Sequence, residues 1–379
     1  MTRECRLPNF DENRCALFAL GRTAIYAACH SLGLNTGDEV LTPAFDCDGA
    51  LQPFRVLGLR PIFLRSDPYT FELDLSDVQS KITPATRLIH AINHFGFPQP
   101  WDALAALGRQ AGIPILEDNA YSLFSAASGR PFGSFGDVAI FSLRKNLPLT
   151  DGGMLCVNNP HYKVVRPSVG PPWIYPSEYT NALRLLMRSL RISNRASLLG
   201  ALAAPLRRFV QAPPPLYSES SGGYPEVPSR DRIGGDFACN YLRPMSRLAL
   251  RQFSGFSASD FAGIAEKKRY FYNRISEGLK GLSGVRVLWP ALPEGSAPFS
   301  LCVLIDSGRD AILEKLNKKY EVMVWPTLPG AVLDHLDKYP EVELLGRKLL
   351  QINLPADMVV KPFFREYSEA IVDDIRLYK

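Results

Sequence analysis

The sequence predicts an α/β protein with a doubly wound, mostly parallel central sheet, helices on both faces of that sheet, and a smaller C-terminal α+β domain. Short apolar runs alternate with stretches of helical spacing between residues 17 and 157, which is the pattern of a parallel sheet covered by helices. Several runs end in polar groups, as buried strands do where a ligand binds at their carboxyl ends. The 379 residues suffice for two domains with sizeable cores.

The composition is that of an ordinary folded protein. Its 46% hydrophobic and 21% charged residues exclude a disordered chain, and the net charge of +5 suits an anionic ligand without indicating nucleic acid. No run approaches the roughly 18 apolar residues that span a membrane, and residues 1–14 contain no apolar segment of a signal peptide. Seven scattered cysteines without a C-x-x-C pair argue against a zinc site and predict free thiols in a reducing compartment, which we expect to be the cytoplasm.

The first strand and helix form a candidate phosphate site. The apolar run 17–20 leads into Gly21, Arg22 and Thr23, and a helical pattern follows. A strand, a turn and a helix in this order offer free N–H groups and the positive end of a helix dipole to an anion. On this motif alone, an ordinary capping role for Thr23 is equally well supported.

Further apolar runs continue the sheet. Asp46 and Asp48 follow the second strand and flank Cys47, and each acid either contacts a ligand or caps the helix that begins at Gly49. The expected strands cover residues 40–41, 60–64, 88–92, 113–116, 138–143 and 154–157.

The stretch from Ile115 to Val157 carries the candidate chemistry. One apolar run ends in Glu117 and Asp118, and the next ends at Ser142, shortly before Lys145. Because the carboxyl ends of parallel strands lie along one edge of a sheet, we expect Asp118, Ser142 and Lys145 to converge on one pocket. Neighbouring residues of a strand alternate, so Glu117 points to the opposite side. This trio meets the needs of pyridoxal phosphate chemistry, which uses an amine, a carboxylate at the pyridine nitrogen and a hydroxyl at the phosphate.

A proline-rich insert, residues 160–236, follows and surrounds a basic amphipathic segment, residues 182–211. Arginines at spacings of three and four form one helical face opposite leucines. One interpretation is contact with a membrane surface or with a lipid-linked or diphosphate substrate. The other, which we favour, is a solvated face of helices packed on the large domain or the partner subunit.

The remaining chain predicts a small α+β domain. We expect a large domain at 1–254 and a small domain at 255–379, connected by a long helix at 253–282. The expected strands lie at 285–288, 299–305 and 322–324, and the expected helices at 308–318 and 363–377.

Several motifs, taken in this order, resemble the DegT/StrS family of sugar aminotransferases, which are fold-type I pyridoxal phosphate enzymes. The resemblance covers roughly the first 160 residues well and the rest loosely. The motifs are GRTAIYAACHSLGLNTGDEVLTPAF (21–45), ITPATRLIHAINHFGFPQP (82–100), ED-x-A (117–120), G-S-x-G-D-x-x-x-F-S (133–142), K-x-L (145–147) and D-G-G (151–153).

The resemblance implies a homodimer whose sites lie at the interface. It implies that Lys145 bonds to the cofactor aldehyde, that Asp118 pairs with the pyridine nitrogen, and that Asn240 reaches the cofactor phosphate of the other subunit. The cofactor contacts that it implies are Gly21, Arg22, Thr23, Asp118, Tyr121, Ser142, Lys145 and Asn240.

The chain departs from the family at three positions. Arg22 replaces a glycine of the phosphate turn, and Asn93 replaces a histidine, so we expect His94 to be a packing residue. Cys47 stands where an aromatic residue stacks on the pyridine ring, so that ring is missing or is supplied by Phe45.

The resemblance implies transfer of an amino group from glutamate to a nucleotide-linked keto-sugar, in the synthesis of an amino sugar for a polysaccharide or a glycosylated metabolite. One alternative is a sugar dehydratase of the same fold, but those enzymes carry histidine in place of Lys145. Another is a non-catalytic binding or regulatory protein, against which the intact Asp118, Ser142 and Lys145 argue.

Overall fold

The computed structural model describes residues 11–179, 181–183, 185, 241–324, 328–353 and 364–378. Asn240 and all but three residues of the basic segment 182–211 lie outside the described residues.

The first half of the chain forms a large sheet and a short hairpin. The strands are β1 (Cys15–Phe18), β2 (Glu39–Pro43), β3 (Arg60–Leu64), β4 (Thr86–Ile92), β5 (Ile115–Asn119), β6 (Ala126–Ala127), β7 (Arg130–Pro131), β8 (Val138–Phe141) and β9 (Gly153–Val157). Seven of them pair in the order β1-β9-β8-β5-β4-β2-β3, and β6 and β7 form the hairpin.

The sheet is mostly parallel, as predicted. Strands β3, β2, β4, β5 and β8 run parallel to one another. The expectation of a parallel strand at 154–157 is wrong, because β9 pairs antiparallel with β8, and β1 pairs antiparallel with β9. The connection between β8 and β9 holds only a four-residue helix, which is too short for the crossover that a parallel pair needs.

Helices cover both faces of this sheet, as the alternating pattern predicts. They are α1 (Gly21–Ser31), α2 (Asp48–Val56), α3 (Leu75–Ser80), α4 (Trp101–Ala111) and α5 (Leu143–Asn146). Successive strand residues point to opposite faces, so Val40 packs in one core with α1 and α2, whereas Leu41 packs in another with α3 and α4.

The expectation of free thiols is wrong for one pair. Cys15 of β1 and Cys156 of β9 face each other in register and form a disulfide. The two residues are 141 positions apart in sequence, so only the antiparallel pairing of the two strands brings them together. Cys29, Cys47 and Cys302 are free.

A second sheet follows in the C-terminal half. Its strands are β10 (Val285–Val287), β11 (Ser300–Ile305), β12 (Val322–Met323) and β13 (Leu349–Asn353). They pair antiparallel in the order β10-β11-β13-β12. The prediction missed β13, which lies between two other strands and directly follows a helix without a turn signal.

The helices of this half are α6 (Arg247–Phe253), α7 (Ala258–Leu279), α8 (Arg309–Leu316), α9 (Gly330–Leu333), α10 (Pro340–Lys348) and α11 (Phe364–Tyr378). The long helix expected at 253–282 is observed as the single, shorter helix α7, and Phe253 is instead the last residue of the preceding helix α6. The two helices are separated at Gly255, and Ser257 caps α7 by accepting the N–H of Asp260 at 3.2 Å. A division near residue 254 coincides with this break and stays a prediction.

The C-terminal half adjoins the carboxyl edge of the large sheet. The Phe299 N–H donates to the Phe95 carbonyl at 2.8 Å, and the Ala297 N–H donates to the Ser125 hydroxyl at 2.9 Å. These contacts bring the start of β11 beside the loops that follow β4 and β5. Among the described residues, no helix combines the length and the apolar character needed to cross a membrane.

Candidate active site

Asp118 is a buried, hydrogen-bonded carboxylate at the carboxyl edge of the large sheet. It is 2% exposed near the end of β5. Its Oδ1 accepts the N–H of Ala120 at 2.7 Å, and its Oδ2 lies 3.2 Å from Nε2 of His90. Because a carboxylate can only accept, the His90 Nε2–H donates to it.

His90 continues this arrangement into the neighbouring strands. Its ring is fully buried in β4, and Nδ1 lies 2.9 Å from the hydroxyl of Thr42 in β2. A chain of hydrogen bonds therefore runs from Thr42 through His90 to Asp118 across three strands. The sequence analysis missed His90. The histidine inside the apolar run LIHAI was nevertheless a visible signal, because a buried polar side chain normally has a hydrogen-bond partner.

Glu117 points away from Asp118, as expected of its neighbour on a strand. Its carboxylate accepts the N–H groups of Gly133, Phe135 and Gly136 at 2.6 to 3.1 Å and the side-chain amide of Asn93 at 3.2 Å. Burial raises the pKa of Glu117, and its hydrogen bonds oppose that shift. Glu117 therefore organises the loop before β8.

Lys145 lies on α5 and not at the end of a strand, because β8 ends at Phe141. Its N–H donates to the Ser142 carbonyl at 3.2 Å, and the residue as a whole is half-buried. The Nζ atom lies 3.8 Å from the centre of the Tyr121 ring, a cation–π contact. Burial lowers the pKa of Lys145, which increases the fraction of neutral amine.

The start of α1 forms a cradle with Ser142. A Cβ on Gly21 would lie 3.1 Å from the Ser142 Cβ, so the absence of a side chain leaves the hydroxyl and the helix N-terminus close together. Gly153 needs to be glycine for a similar reason, since a Cβ there would lie 2.1 Å from the Leu20 carbonyl oxygen. The backbone at Gly153 therefore lies very close to the backbone at Leu20, just before α1.

Thr23 takes the capping role that the motif left open. Its hydroxyl donates to the Leu20 carbonyl at 2.6 Å and accepts the Leu20 N–H at 3.0 Å. The hydroxyl is thus occupied by the chain itself, and the contribution of this turn to an anion site comes from backbone N–H groups.

Two arginines lie beside the cradle. Arg22 donates from Nη1 to the Gln52 side-chain carbonyl at 2.8 Å. Burial, and then the neighbouring charge of Arg144, lower the pKa of Arg22. Arg144 contacts the carboxylate of Glu178 at 3.3 Å.

The segment after β2 lacks a ring for stacking. Phe45 is 1% exposed, and its ring packs in the core with Phe71 and His94, so it does not substitute for the missing aromatic group. Cys47 is partly exposed instead. His94 is buried, its Nε2 lies 2.9 Å from the Phe45 carbonyl, and burial lowers its pKa to about 4, as expected of a neutral packing residue.

Asp46 is a buried acid that sequence reasoning left with two possible roles. It is 3% exposed, and its Oδ1 accepts the Cys47 N–H at 2.6 Å. The helix α2 begins at Asp48 after Cys47, so Asp46 does not cap it. Burial raises the pKa of Asp46 to about 7.

The site therefore brings together Asp118, Ser142, Lys145, Tyr121 and Gly21 at one edge of the sheet. It offers an amine, a hydrogen-bonded carboxylate and a glycine-lined anion cradle. The described residues contain no cluster of three or more histidine, cysteine or acidic side chains suited to a metal ion.

Comparison with known proteins agrees with this chemistry. Residues 10–165 match the DegT/DnrJ/EryC1/StrS aminotransferase family. The GDP-perosamine synthase of Escherichia coli O157:H7 is 31% identical over 141 residues, which are 37% of this chain and 39% of that protein. The matched part of the chain thus spans well under half the length of this curated relative.

Solved structures of low sequence identity share the fold. The aminotransferase TlmJ from Streptoalloteichus hindustanus has a TM-score of 0.63 at 21% identity, covering 96% of this chain and 85% of that one. DesV from S. venezuelae, solved in complex with a ketimine intermediate, has a TM-score of 0.64 at 20% identity, covering 96% and 84%. The E. coli GDP-4-keto-6-deoxy-D-mannose-3-dehydratase, solved with bound hydrated PLP, has a TM-score of 0.61 at 17% identity, covering 95% and 87%.

The prediction of a fold-type I transferase fold is confirmed by these structures. Over residues 10–165, the chain is similar to the DegT/DnrJ/EryC1/StrS aminotransferase family.

Proposed function

We propose that this protein is a pyridoxal phosphate-dependent aminotransferase that moves an amino group from glutamate to a nucleotide-linked keto-sugar. The observation that carries the proposal is the Lys145 amine at the carboxyl edge of the sheet, on the same edge as the buried Asp118 carboxylate. When bound, the cofactor supplies an aldehyde for an amine and a pyridine ring that withdraws electrons.

The residues present fit this cofactor. Asp118, held by His90 and by the Ala120 N–H, would bind the protonated pyridine nitrogen. The cradle of Gly21 and Ser142 would hold the phosphate with the N–H groups at the start of α1. Asn240, outside the described residues, is proposed to reach the phosphate of the other subunit in a homodimer.

Lys145 would act as the residue that bonds to the cofactor and then moves a proton at the reacting carbon. Both roles need a neutral amine at working pH. Its lowered pKa, caused first by burial, favours that form. The Tyr121 ring under Nζ fixes the direction of the side chain.

The substrate part of the proposal rests on the relatives and on charge. GDP-perosamine synthase, by its name, makes a nucleotide sugar. In this chain, Arg22 follows Gly21, Arg144 follows Ser142 after one residue, and the two charges are close enough to affect each other. Two cations near the cradle would attract a diphosphate. We further propose the cytoplasm as the location, and residues 1–254 and 255–379 as the two domains.

A dehydratase is the second candidate, because one neighbour in fold carries that name. Lys145 disfavours it, since the resemblance assigns histidine to that position in such enzymes. The two reactions can be distinguished by their products, because only the aminotransferase product carries a new amine.

The absorption spectrum of the purified protein tests the proposal. With pyridoxal phosphate, the wild-type protein should show an absorption band at about 420 nm. Addition of glutamate should move this band to about 330 nm. Lys145→Ala should lose both the band and transamination, whereas Lys163→Ala, which changes an exposed lysine, should retain them. Full activity of Lys145→Ala would refute the assignment, and a band that ignores glutamate would refute glutamate as the donor.

A further inference from the structure

A carboxylate of the chain itself is bound to an arginine beside the proposed phosphate cradle. Glu178 is 8% exposed, and its Oε2 lies 3.3 Å from Nη1 of Arg144. In the described part of the chain, this carboxylate is the hydrogen-bond partner of the Arg144 guanidinium. Arg144 lies on α5, two residues after Ser142, so the arginine and the cradle belong to the same turn.

Glu178 also reaches the start of α1. It lines a small cavity together with Leu20, which precedes α1, and with Thr23 in the first turn of that helix. Burial raises the pKa of the Glu178 carboxyl, and the charge of Arg144 opposes that shift. The carboxylate is therefore placed between α1 and α5, the two helices whose first residues form the cradle.

The segment that carries Glu178 is held by contacts that do not involve its carboxylate. The Tyr175 hydroxyl donates to the Pro244 carbonyl at 2.7 Å. The Arg247 N–H donates to the Pro172 carbonyl at 2.9 Å. The side chain of Glu178 can therefore change its partner while the segment stays in place.

A carboxylate and a phosphate cannot both lie beside one guanidinium without cost. Like charges a few ångströms apart repel each other, and the repulsion is stronger inside a protein than in water. At 3.3 Å, the contact between Glu178 and Arg144 is longer than the about 2.7–2.9 Å of a strong charge-assisted hydrogen bond. A guanidinium binds phosphate in the same forked geometry as carboxylate, and phosphate carries more charge. Exchange of the one anion for the other is therefore favourable.

We propose that Arg144 is a further phosphate-binding residue of this site, and that Glu178 is its partner only until a phosphate group of a ligand replaces the carboxylate. This inference rests on the cradle of the proposed function, but it does not require turnover. The phosphate group belongs either to the cofactor or to the diphosphate of the substrate, and the two sources are separated by experiment.

Inorganic pyrophosphate is the probe, because it carries phosphate groups without a sugar or a base. Isothermal titration calorimetry measures its Kd for the full-length protein, first freed of cofactor and then saturated with pyridoxal phosphate. Glu178→Gln removes the charge of the carboxylate and keeps its shape. Glu343→Gln is the matched control, because Glu343 pairs with Arg347 at 2.8 Å within α10 and loses the same charge.

Glu178→Gln should bind pyrophosphate about tenfold or more tightly than the wild type, because a competing negative charge is lost, while Glu343→Gln should match the wild type. Arg144→Gln should weaken binding about tenfold, and Arg144→Lys, which keeps a cation, should recover part of this loss. In the Arg144→Gln background, the gain from Glu178→Gln should fall to about threefold or less, because the two side chains act on one contact.

A gain from Glu178→Gln that is confined to the cofactor-free protein assigns Arg144 to the cofactor phosphate. A gain that persists in the protein saturated with pyridoxal phosphate assigns it to the diphosphate of the substrate. Both results support the exchange.

Unchanged or weaker pyrophosphate binding by folded Glu178→Gln would overturn the exchange, and wild-type binding by folded Arg144→Gln would overturn the assignment of Arg144. A purely structural ion pair would lower the melting temperature of both variants without moving the Kd, and this outcome also overturns the proposal. Failure of the aminotransferase assignment would appear instead in the absorption spectrum with glutamate, which these titrations do not contain, so the two failures are distinguishable.

Discussion

Replacing His90 with phenylalanine tests whether the hydrogen-bond chain across the sheet holds Asp118 ready for a cofactor. The substitution keeps a buried aromatic ring but removes the donor 3.2 Å from the Asp118 carboxylate and the partner of Thr42. The Asp118 Oδ2 atom would then lose the hydrogen bond from His90 Nε2. Water could not replace this donor, because Asp118 is buried.

The magnitude follows from the type of hydrogen bond that is lost. A hydrogen bond to a charged group contributes about 1.5–3 kcal/mol, and a buried acceptor without a donor costs a similar amount. If the cofactor contact depends on an oriented Asp118 carboxylate, this range corresponds to an affinity for pyridoxal phosphate that is about 10- to 150-fold weaker. The free energy of unfolding should fall by about 1.5–3 kcal/mol as well.

The assay is a titration of cofactor-free protein with pyridoxal phosphate, followed by absorbance, together with urea unfolding of the same samples. His90→Gln is the informative control, because the glutamine amide can donate from near the Nε2 position while lacking the Nδ1 acceptor. We expect glutamine to restore most of the affinity and phenylalanine to restore none.

A His90→Phe protein with wild-type cofactor affinity and wild-type stability would refute the reasoning, since the buried bond to Asp118 would then contribute nothing. Equal losses in the glutamine and phenylalanine variants would show that a donor near the Nε2 position is not what maintains the cofactor affinity.

Three further predictions follow from the same structure. Gly21→Ala should weaken pyridoxal phosphate binding about tenfold or more, because the new Cβ would lie 3.1 Å from the Ser142 Cβ. The substitution should not lower stability, since alanine favours a helix. As a control, Gly263→Ala, whose Cβ would lie in open space on α7, should leave binding unchanged in the same titration. Asp151→Ala should lower the free energy of unfolding, measured by urea denaturation, by about 3 kcal/mol. The substitution removes the acceptor of hydrogen bonds from the Ser246 N–H at 2.9 Å and the Ser246 hydroxyl at 2.5 Å, just before α6. As a control, replacing the exposed Asp306 with alanine should cost under about 1 kcal/mol. The pKa of His94 is about 4 in the folded protein and about 6.5 in the unfolded chain. The neutral ring therefore contributes stability above pH 6.5 that is lost as the pH falls to 4. The difference in unfolding free energy between wild type and His94→Gln should shrink by about 3 kcal/mol over that interval, and a constant difference would contradict this prediction.

Local pattern was enough to predict most of the large sheet and the placement of Asp118 and Ser142 at its carboxyl edge. Strands β2, β3, β4, β5 and β8 were predictable because an apolar run between turn signals has few alternatives in an α/β chain. Asp118 and Ser142 were predictable because parallel strands share one carboxyl edge. The DegT/StrS motifs then added residue roles that periodicity alone does not contain.

Elements that depend on distant partners were missed or wrong. β13 lies between β11 and β12, and the run LLQIN that forms it directly follows the helix α10, so nothing local marks the change from helix to strand. The antiparallel β9 and the Cys15–Cys156 disulfide depend on which strands become neighbours, and that choice is made by packing over 141 residues of sequence.

The sequence by itself determined the α/β class and the edge of the sheet at which polar groups gather, because side-chain alternation and strand ends are local properties. Only the tertiary structure decided which groups are paired. It linked His90 to Asp118 across 28 residues of sequence, turned the Thr23 hydroxyl back onto Leu20, and left one oxygen of the buried Asp46 without a partner among the described residues. Hydrogen bonds and burial depend on neighbours brought together by the fold, and a linear pattern does not specify those neighbours.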